Sequence, residues 1–363
     1  MTKIGLDISG GDFGPEVRIE GVVDAMELEN DLEMFLYGNK KLIEEILDEY
    51  TLATETLDRI EIVNSKDDIS MATKDINAVK NNREASMSLL LEDLVLNEEG
   101  ESIIDAGITA GNTGVGVIGA KRKIKTLNVG GIRFGQALAA FIPKKNGGET
   151  LMLDFGATVM GNNEKKIIKA YLNNALMAVS YLKSTGIENP KIGLINIGEE
   201  ESKGSKEIQE VYKKLKELFG DIFIGNIEGD NLLNTEADIL LTDAVTGNNM
   251  LKTAKGIGRN IKEDFKELFE NDLLLKVVYF FKKIKFKNLF KKYESKETGA
   301  ALCLGLKNSF YITHGSSDPK LIKHAILRAY EYSNNGIRKK MREELENLVI
   351  NLPEELKKEV WNK

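Results

Sequence analysis

The sequence predicts an α/β fold, a three-layer α/β/α arrangement on a mostly parallel sheet, and three observations carry it. Short apolar runs alternate with stretches of helical spacing, the pattern of repeated βαβ units. Five or six of those runs end in small, hydroxyl or amide residues, as strands do where an open sheet meets its ligand. A chain of 363 residues, 42% apolar and 29% charged, is long and ordinary enough in composition to bury such a core.

Taken in order, Lys3-Ile4-Gly5-Leu6-Asp7-Ile8 is the first strand. Ser9-Gly10-Gly11-Asp12-Phe13-Gly14-Pro15 breaks it, and Pro15 suits the first position of a helix over 16–28. Strands at 33–37 and 59–63 flank a helix at 40–50, and helical stretches follow at 74–81 and 83–97. The apolar run Ser102-Ile103-Ile104-Asp105 is then read as the end of a buried strand, with a glycine-rich turn and helix start over 106–120. Further strands fit at 137–142, 150–154, 191–197, 221–225, 237–242, 301–306 and 309–313. Helices fit at 164–185, from the turn at 198–205 to Phe219, and at 320–334.

Two segments depart from this alternation. Between Gly256 and Gly299 the chain mixes aromatic and aliphatic residues with lysines, and no acid lies between Asp272 and Glu294. Val277, Phe280, Phe281 and Ile284 follow an i, i+3, i+4, i+7 stripe beside Lys282 and Lys283. That pattern fits a protruding amphipathic hairpin lying on an anionic membrane surface, and equally one packed on the core or on a second copy with its lysines in water. The charged tail, 338–363, carries a weak apolar stripe at Leu345, Leu348, Val349 and Leu352 and reads as a helical extension. The expected organisation is one domain over 1–337, with the insertion at 256–298, followed by that extension.

Composition excludes several classes. A net charge of −7 gives no general reason for nucleic-acid binding. Cys303 is the only cysteine, so no internal disulfide framework forms, and it reads as a small buried hydrophobe. A strand-like start and the lack of any run of about 20 apolar residues lead us to expect a cytoplasmic protein with neither leader nor membrane span. No metal site is expected, because the only histidines, His314 and His324, have no clustered ligands around them. A serine triad lacks its Gly-x-Ser-x-Gly elbow.

Gly114, Gly116 and Gly119 spell the dinucleotide fingerprint. A ribose, however, needs an acid roughly 20 residues further on. From Ala106 to Gly148 there is no acid at all, only Lys121, Arg122, Lys123, Lys125, Arg133, Lys144 and Lys145. What remains is chemistry for an oxyanion: backbone N–H groups, an amide and a hydroxyl at Gly111, Asn112, Thr113 and Gly114, and a second donor turn at His314, Gly315, Ser316 and Ser317. Lys203, in a turn before a helix, adds a point charge; alone it would read as a solvated helix-start lysine.

Together these pieces resemble the phosphate acyltransferases of bacterial phospholipid synthesis, the PlsX family. The matching segments, in family order over about 3–335, are Gly10-Gly11-Asp12 with Pro15, Ala110-Gly111-Asn112-Thr113-Gly114, Asp154-Phe155-Gly156-Ala157, Asn196 to Gly204, Ile224 to Gly229, Thr246-Gly247-Asn248, and His314 to Asp318. The resemblance implies transfer of a long-chain acyl group from acyl carrier protein to inorganic phosphate. It implies a homodimeric α/β/α fold of the isocitrate/isopropylmalate dehydrogenase kind, a membrane-facing hairpin, and no metal or redox cofactor. A membrane glycerol-3-phosphate acyltransferase would be the downstream partner. By motif, catalysis falls to Lys203 and Asn248, with His314 as acid or orienting group; Gly11, Asp12, Gly111, Asn112, Thr113, Gly114, Gly247, Gly315, Ser316 and Ser317 fall at phosphate or substrate.

This sequence departs from the family pattern at Phe13-Gly14, at Gly135-Gln136, at Thr158-Val159-Met160 and in the thinned basic run before Ser86-Met87. Two other readings therefore stand: a short-chain enzyme using coenzyme A, and a non-catalytic member that keeps the membrane and dimer functions.

Overall fold

In the computed structural model, residues 1–158, 163–271, 281–282, 284–285 and 299–361 are described. Val277, Phe280 and Lys283 of the amphipathic stripe lie outside them. The chain forms two compact units, one made of Met1–Ala139, Val179–Glu188 and Glu297–Lys363, the other of Ala140–Ala178 and Asn189–Lys296.

The first unit begins with β1 (Thr2–Asp7), α1 (Pro15–Met26), β2 (Leu32–Gly38), α2 (Lys40–Leu47), α3 (Thr54–Leu57) and β3 (Ile60–Asn64). It continues through α4 (Ala78–Asn81), α5 (Ser86–Asp93), β4 (Ala106–Thr109), α6 (Thr113–Lys123) and the small ribbon β5 (Asn128–Val129) and β6 (Ile132–Arg133). β7 (Ala137–Pro143) carries the chain into the second unit, where β8 (Glu149–Leu153), α7 (Glu164–Ser184), β9 (Ile192–Ile195), α8 (Lys206–Phe219), β10 (Phe223–Ile227), β11 (Ile239–Leu241) and α9 (Ala244–Asn271) follow. Back in the first unit come β12 (Ala301–Leu304), β13 (Ser309–Ile312), α10 (Pro319–Asn334), α11 (Ile337–Ile350) and α12 (Glu354–Val360).

In the first unit the strands run β12-β13-β4-β1-β2-β3. All neighbours from β13 to β3 pair in parallel, and only β12 is antiparallel. In the second the order is β10-β9-β11-β8, parallel throughout. The sequence alternation and the parallel pairing agree, because each return to a parallel neighbour needs a crossover helix.

Side chains of β1 alternate between two covered faces. Gly5 points at α5: a Cβ there would lie 2.8 Å from Leu90 and 2.5 Å from Ile104. Ile4 and Leu6 point the other way and are fully buried. On that side α1 and α10 meet so closely that a Cβ on Gly21 would come within 2.7 Å of Ile322. Helices on both faces of a parallel sheet give the three layers.

Two expectations are corrected. The strand leading into the glycine turn is β4, Ala106–Thr109, not residues 102–105. Asp105 instead ties the edge, its N–H donating to Lys3 O and its carboxylate accepting from Lys3 N, both at 2.8 Å. Gly107 pairs with Gly5 and Phe310 within the strand, and a Cβ there would lie 2.7 Å from Leu94, which follows α5. Second, α9 runs unbroken through Gly256 and Gly258, so the departure from alternation does not begin at Gly256. Neither glycine is required by packing: a Cβ on either meets nothing within 4 Å. The tail forms two helices that pack on the first unit. α11 and α12, separated near Pro353, bury Met341, Leu345, Val349, Leu352, Leu356 and Val360 in the first unit. Val349 comes within 2.6 Å of where a Cβ on Gly130 would stand, covering the β5–β6 ribbon.

Candidate active site

In the first unit the ends of β1, β4 and β13 bring three turns together. Gly10 and Gly111 are in backbone contact, a Cβ on Gly10 falling 2.8 Å from Gly111 N. Asp12 N donates to Gly315 O at 2.8 Å, which ties the first turn to the third. Gly11 has φ +113°, open to glycine but strained for other residues, and a Cβ there would meet Arg18 Nη1 at 2.7 Å.

A buried acid and a buried base hold this cluster. Asp7 accepts from Ser86 Oγ (2.6 Å), Thr109 Oγ1 (2.7 Å) and Gly10 N (3.2 Å). Arg18 on α1 staples the first turn at both ends, donating from Nε to Ile8 O (2.6 Å) and from Nη2 to Phe13 O (2.7 Å). Burial pushes the Asp7 carboxyl above its ordinary range, against the pull of its hydrogen bonds and of Arg18. Burial likewise lowers Arg18, opposed by the charges of Asp7, Glu16 and Asp12. No sequence motif marks Asp7, Arg18, Ser86 or Thr109 as site residues. The available signal was an ionisable residue closing an apolar strand directly before Gly10-Gly11.

Asn112 is committed to structure. Its Oδ1 caps α6 by accepting from Val115 N at 3.1 Å, and its Nδ2 donates to Met71 O (2.9 Å) and Thr73 O (3.3 Å). Gly111 N donates to Thr109 Oγ1 at 2.9 Å. The N–H groups of Thr113 and Gly114 have no partner among the described residues, and both residues are exposed. They stand at the positive end of a helix with no acid in its first turn. Gly114, Gly116 and Gly119 all lie inside α6, and a Cβ on Gly119 would come within 2.7 Å of Val79. Packing requires only the last of the three, since a Cβ on Gly114 or Gly116 would meet nothing closer than 3.5 Å.

At the third turn His314 and Ser316 are exposed, whereas Ser317 is buried with its hydroxyl 2.7 Å from Thr313 Oγ1. Ser317 thus braces the turn from inside. The Asp12 N–H is spent on Gly315 O. Gly315 leaves room for the Asp12 carboxylate, since a Cβ would sit 2.7 Å from Asp12 Oδ2.

The second unit places Lys203 in a turn fixed by side-chain amides. Asn196 Nδ2 donates to Lys203 O (3.2 Å), Gln209 Nε2 to Ser202 O (2.7 Å) and Asn226 Nδ2 to Glu200 O (2.9 Å). The Lys203 stem folds over Gly198, where a Cβ would come within 2.8 Å of it. Its exposed ammonium lies 3.6 Å from Glu200. Such surface pairs are worth about 0–1 kcal/mol, so the lysine is available to a stronger anion. Gly247 is needed for packing: a Cβ would stand 2.2 Å from Asp154 O. Asn248 beside it is half-buried. Two acids close turns on themselves here. Asp154 accepts from the N–H groups of Gly156, Ala157 and Thr158 at 2.8–3.0 Å, and Asp243 caps α9 through Val245 N and Thr246 N.

A three-layer α/β/α fold whose strand ends present open N–H groups defines a class of proteins that handle small anions. Comparison places the chain within that class. A family model described as "Fatty acid synthesis protein" matches residues 2–340. A phosphate acyltransferase of Fusobacterium nucleatum is 35% identical over 346 residues, covering 95% of this chain and 99% of the relative. One from Bacillus subtilis is 32% identical, covering 94% and 98%. The chain belongs to the phosphate acyltransferase family, and with it to the acyltransferases. In fold it is similar to a phosphotransacetylase of Streptococcus pyogenes (TM-score 0.56, 16% identity, 91% of this chain and 93% of that one). A branched-chain phosphotransacylase of Enterococcus faecalis is comparable (0.52, 14%, 92% and 99%).

Proposed function

We propose that this protein transfers a long-chain fatty acyl group from acyl carrier protein to inorganic phosphate, releasing acyl-phosphate for phospholipid synthesis. One observation carries the reading: the open N–H pair of Thr113 and Gly114 at the start of α6, in a stretch without a single acid. A phosphate oxygen attacks the thioester carbonyl, the C–O bond forms, and the C–S bond breaks as the carrier thiolate leaves with a proton. Phosphate is already a competent nucleophile, so positioning and charge stabilisation are the main requirements. In the first unit the α6 start receives phosphate, and His314, with Ser316 beside it, orients it or protonates the leaving sulfur. In the second unit, Lys203, as a point charge, and Asn248, as an amide donor, are the residues to which the family motifs assign catalysis.

The reaction needs no metal or redox cofactor. The basic residues of the acid-free stretch would steer the acidic carrier protein, and a membrane glycerol-3-phosphate acyltransferase would consume the product. Among the described residues no helix is long and apolar enough to cross a membrane. Exposed Ile257, Ile261 and Leu268 on α9, with Phe281 and Ile284 beyond it, support peripheral attachment to an anionic membrane surface. A homodimer belongs to the same proposal.

Incubating the protein with palmitoyl-acyl carrier protein or palmitoyl-coenzyme A and phosphate, and following acyl-phosphate, tests the assignment. We expect the carrier protein to be the better donor. Lys203→Ala should lower turnover by about 10²–10³, as for loss of one transition-state donor. Near wild-type turnover by the folded variant would remove Lys203 from the mechanism. Preference for coenzyme A would favour the short-chain reading, and no product from either donor the non-catalytic one.

A further inference from the structure

The first unit contains a cavity of about 550 Å³ that the proposed reaction does not use. It is lined by the loop after α5, the end of α6, the β12–β13 connection and the start of α11. Ser309, where β13 begins, is on its wall, whereas His314 follows the other end of that strand. Five extended residues span roughly 15 Å, so the cavity is a separate place from the anion turns.

Its walls have two chemistries. Leu96, Ile124, Leu127, Leu306 and Met341 make an apolar lining. Lys123, Lys125, Lys307, Arg338, Lys339 and Arg342 also face it, and no acid does. Lys123 is paired with Glu92, and Arg342 Nε is 3.0 Å from Glu346. Lys125, Lys307 and Lys339 have no acidic partner among the described residues. Arg338 is held by a neutral group: its Nη1 donates to Asn308 Oδ1 at 2.9 Å. Asn308 is itself buried and fixed by donating to Leu94 O (3.0 Å) and Ser102 Oγ (2.9 Å). The guanidinium is thus positioned without being neutralised.

The backbone holds like charges side by side. Lys307 N donates to Lys125 O at 3.0 Å, placing two exposed lysines on adjacent strands of chain. Lys125 has φ +65°, the only positive φ of a non-glycine residue among the described residues. That conformation costs about 1–2 kcal/mol for an ordinary side chain. Strain and repulsion spent on clustering cations around an apolar hollow of ligand size have a functional reading.

We infer that this cavity is a second binding site, for an amphiphilic anion: a hydrocarbon chain carrying a phosphate or carboxylate head. The chain lies against the aliphatic wall, and the head meets Arg338 and the three unpaired lysines. Such a molecule reaches the site either free in solution or as a lipid drawn from a bilayer. Cys303, the only cysteine, lines the same cavity but is buried, so a small disulfide reagent labels its thiol only as the cavity wall opens locally, and a ligand filling the cavity slows that labelling.

Dodecyl phosphate below its micellar concentration should slow that labelling at least tenfold, and inorganic phosphate at the same concentration should not. Lys307→Glu/Lys339→Glu should abolish the protection. Lys125→Asn, which removes a charge but tolerates the left-handed backbone, should weaken it even if the double variant fails to fold. Protection by phosphatidylglycerol vesicles, absent with phosphatidylcholine and with dodecyl phosphate, would support the site with a bilayer lipid as its source. Protection by monomeric dodecyl phosphate would support it with a free amphiphile. The inference is overturned if no amphiphile protects, if inorganic phosphate protects equally, or if protection survives in the folded charge variants.

Discussion

Replacing Asp7 by alanine should be among the most damaging single changes available in the first unit. The carboxylate is the common acceptor for the hydroxyls of Ser86 and Thr109 and for Gly10 N, and among neighbouring charges it does most to offset the burial of Arg18. Its raised pKa means that burial of the ionised form costs more than its partners return. Deleting it does not recover that cost, because the hydroxyls and the guanidinium stay buried without it. Leaving buried donors without their acceptor costs about 1–3 kcal/mol each, so the loss should be about 3–5 kcal/mol. At about 2–4 °C per kcal/mol for a unit of this size, the melting temperature should fall by about 6–20 °C. Arg18→Leu/Asp7→Leu, which also strips Ile8 O and Phe13 O of their donor, should cost more than Asp7→Ala. The pH dependence has a definite sign. A carboxyl whose pKa is raised on folding contributes stability below the ordinary value of 3.8 and loses it as pH rises through the folded value. The stability of wild type relative to Asp7→Asn should therefore decline as pH rises from about 4. Chemical denaturation of the three variants across pH measures all of this. A cost below about 1 kcal/mol for Asp7→Ala, or a relative stability that rises with pH, would refute the reasoning.

Gly247→Ala puts a methyl group into Asp154 O, and overpacking of this kind costs about 1–3 kcal/mol; a thermal melt within 1 °C of wild type would show that α9 shifts freely. Asn112→Ala removes the α6 cap and the tie to Met71 and Thr73. It should cost about 1–2 kcal/mol and speed proteolytic nicking near residue 71, where unchanged cleavage would count against the tie. Phe281→Glu/Ile284→Glu should reduce sedimentation with phosphatidylglycerol vesicles several-fold, and equal sedimentation would detach those side chains from membrane binding.

The strand and helix alternation was legible because each signal is local: an apolar run of strand length, a breaker, then helical spacing. The order of β1, β2 and β3 and the start of α1 at Pro15 follow from such signals. Glycine was where reading failed. A glycine that accepts positive φ, such as Gly11, and one that lets two elements touch, such as Gly107 or Gly119, are the same letter. Ala106-Gly107-Ile108-Thr109 was therefore read as turn when it is strand, and Gly256 as a boundary when α9 passes through it. At the site, the donor turns were visible as motifs. The Asp7–Arg18 brace was not, because its partners come from four places along the chain. The inward turn of Ser317 and the self-capping by Asp154 and Asp243 depend on side-chain direction, which spacing does not encode.

The composition of α6 has a thermodynamic consequence. Three of its eleven residues are glycines, each costing about 1 kcal/mol relative to alanine in a helix. Its order must come from tertiary contacts, such as the burial of Val115, Val117 and Ala120 and the close approach of the helix to Val79 at Gly119. The open N–H groups of Thr113 and Gly114 thus exist only once the layers have closed around them. Any anion they hold is a ligand of the folded state alone, so folding and binding draw on one free energy. Phosphate at a hundred times its dissociation constant would add about 2.7 kcal/mol to the stability of this unit, which would melt later as its substrate accumulates.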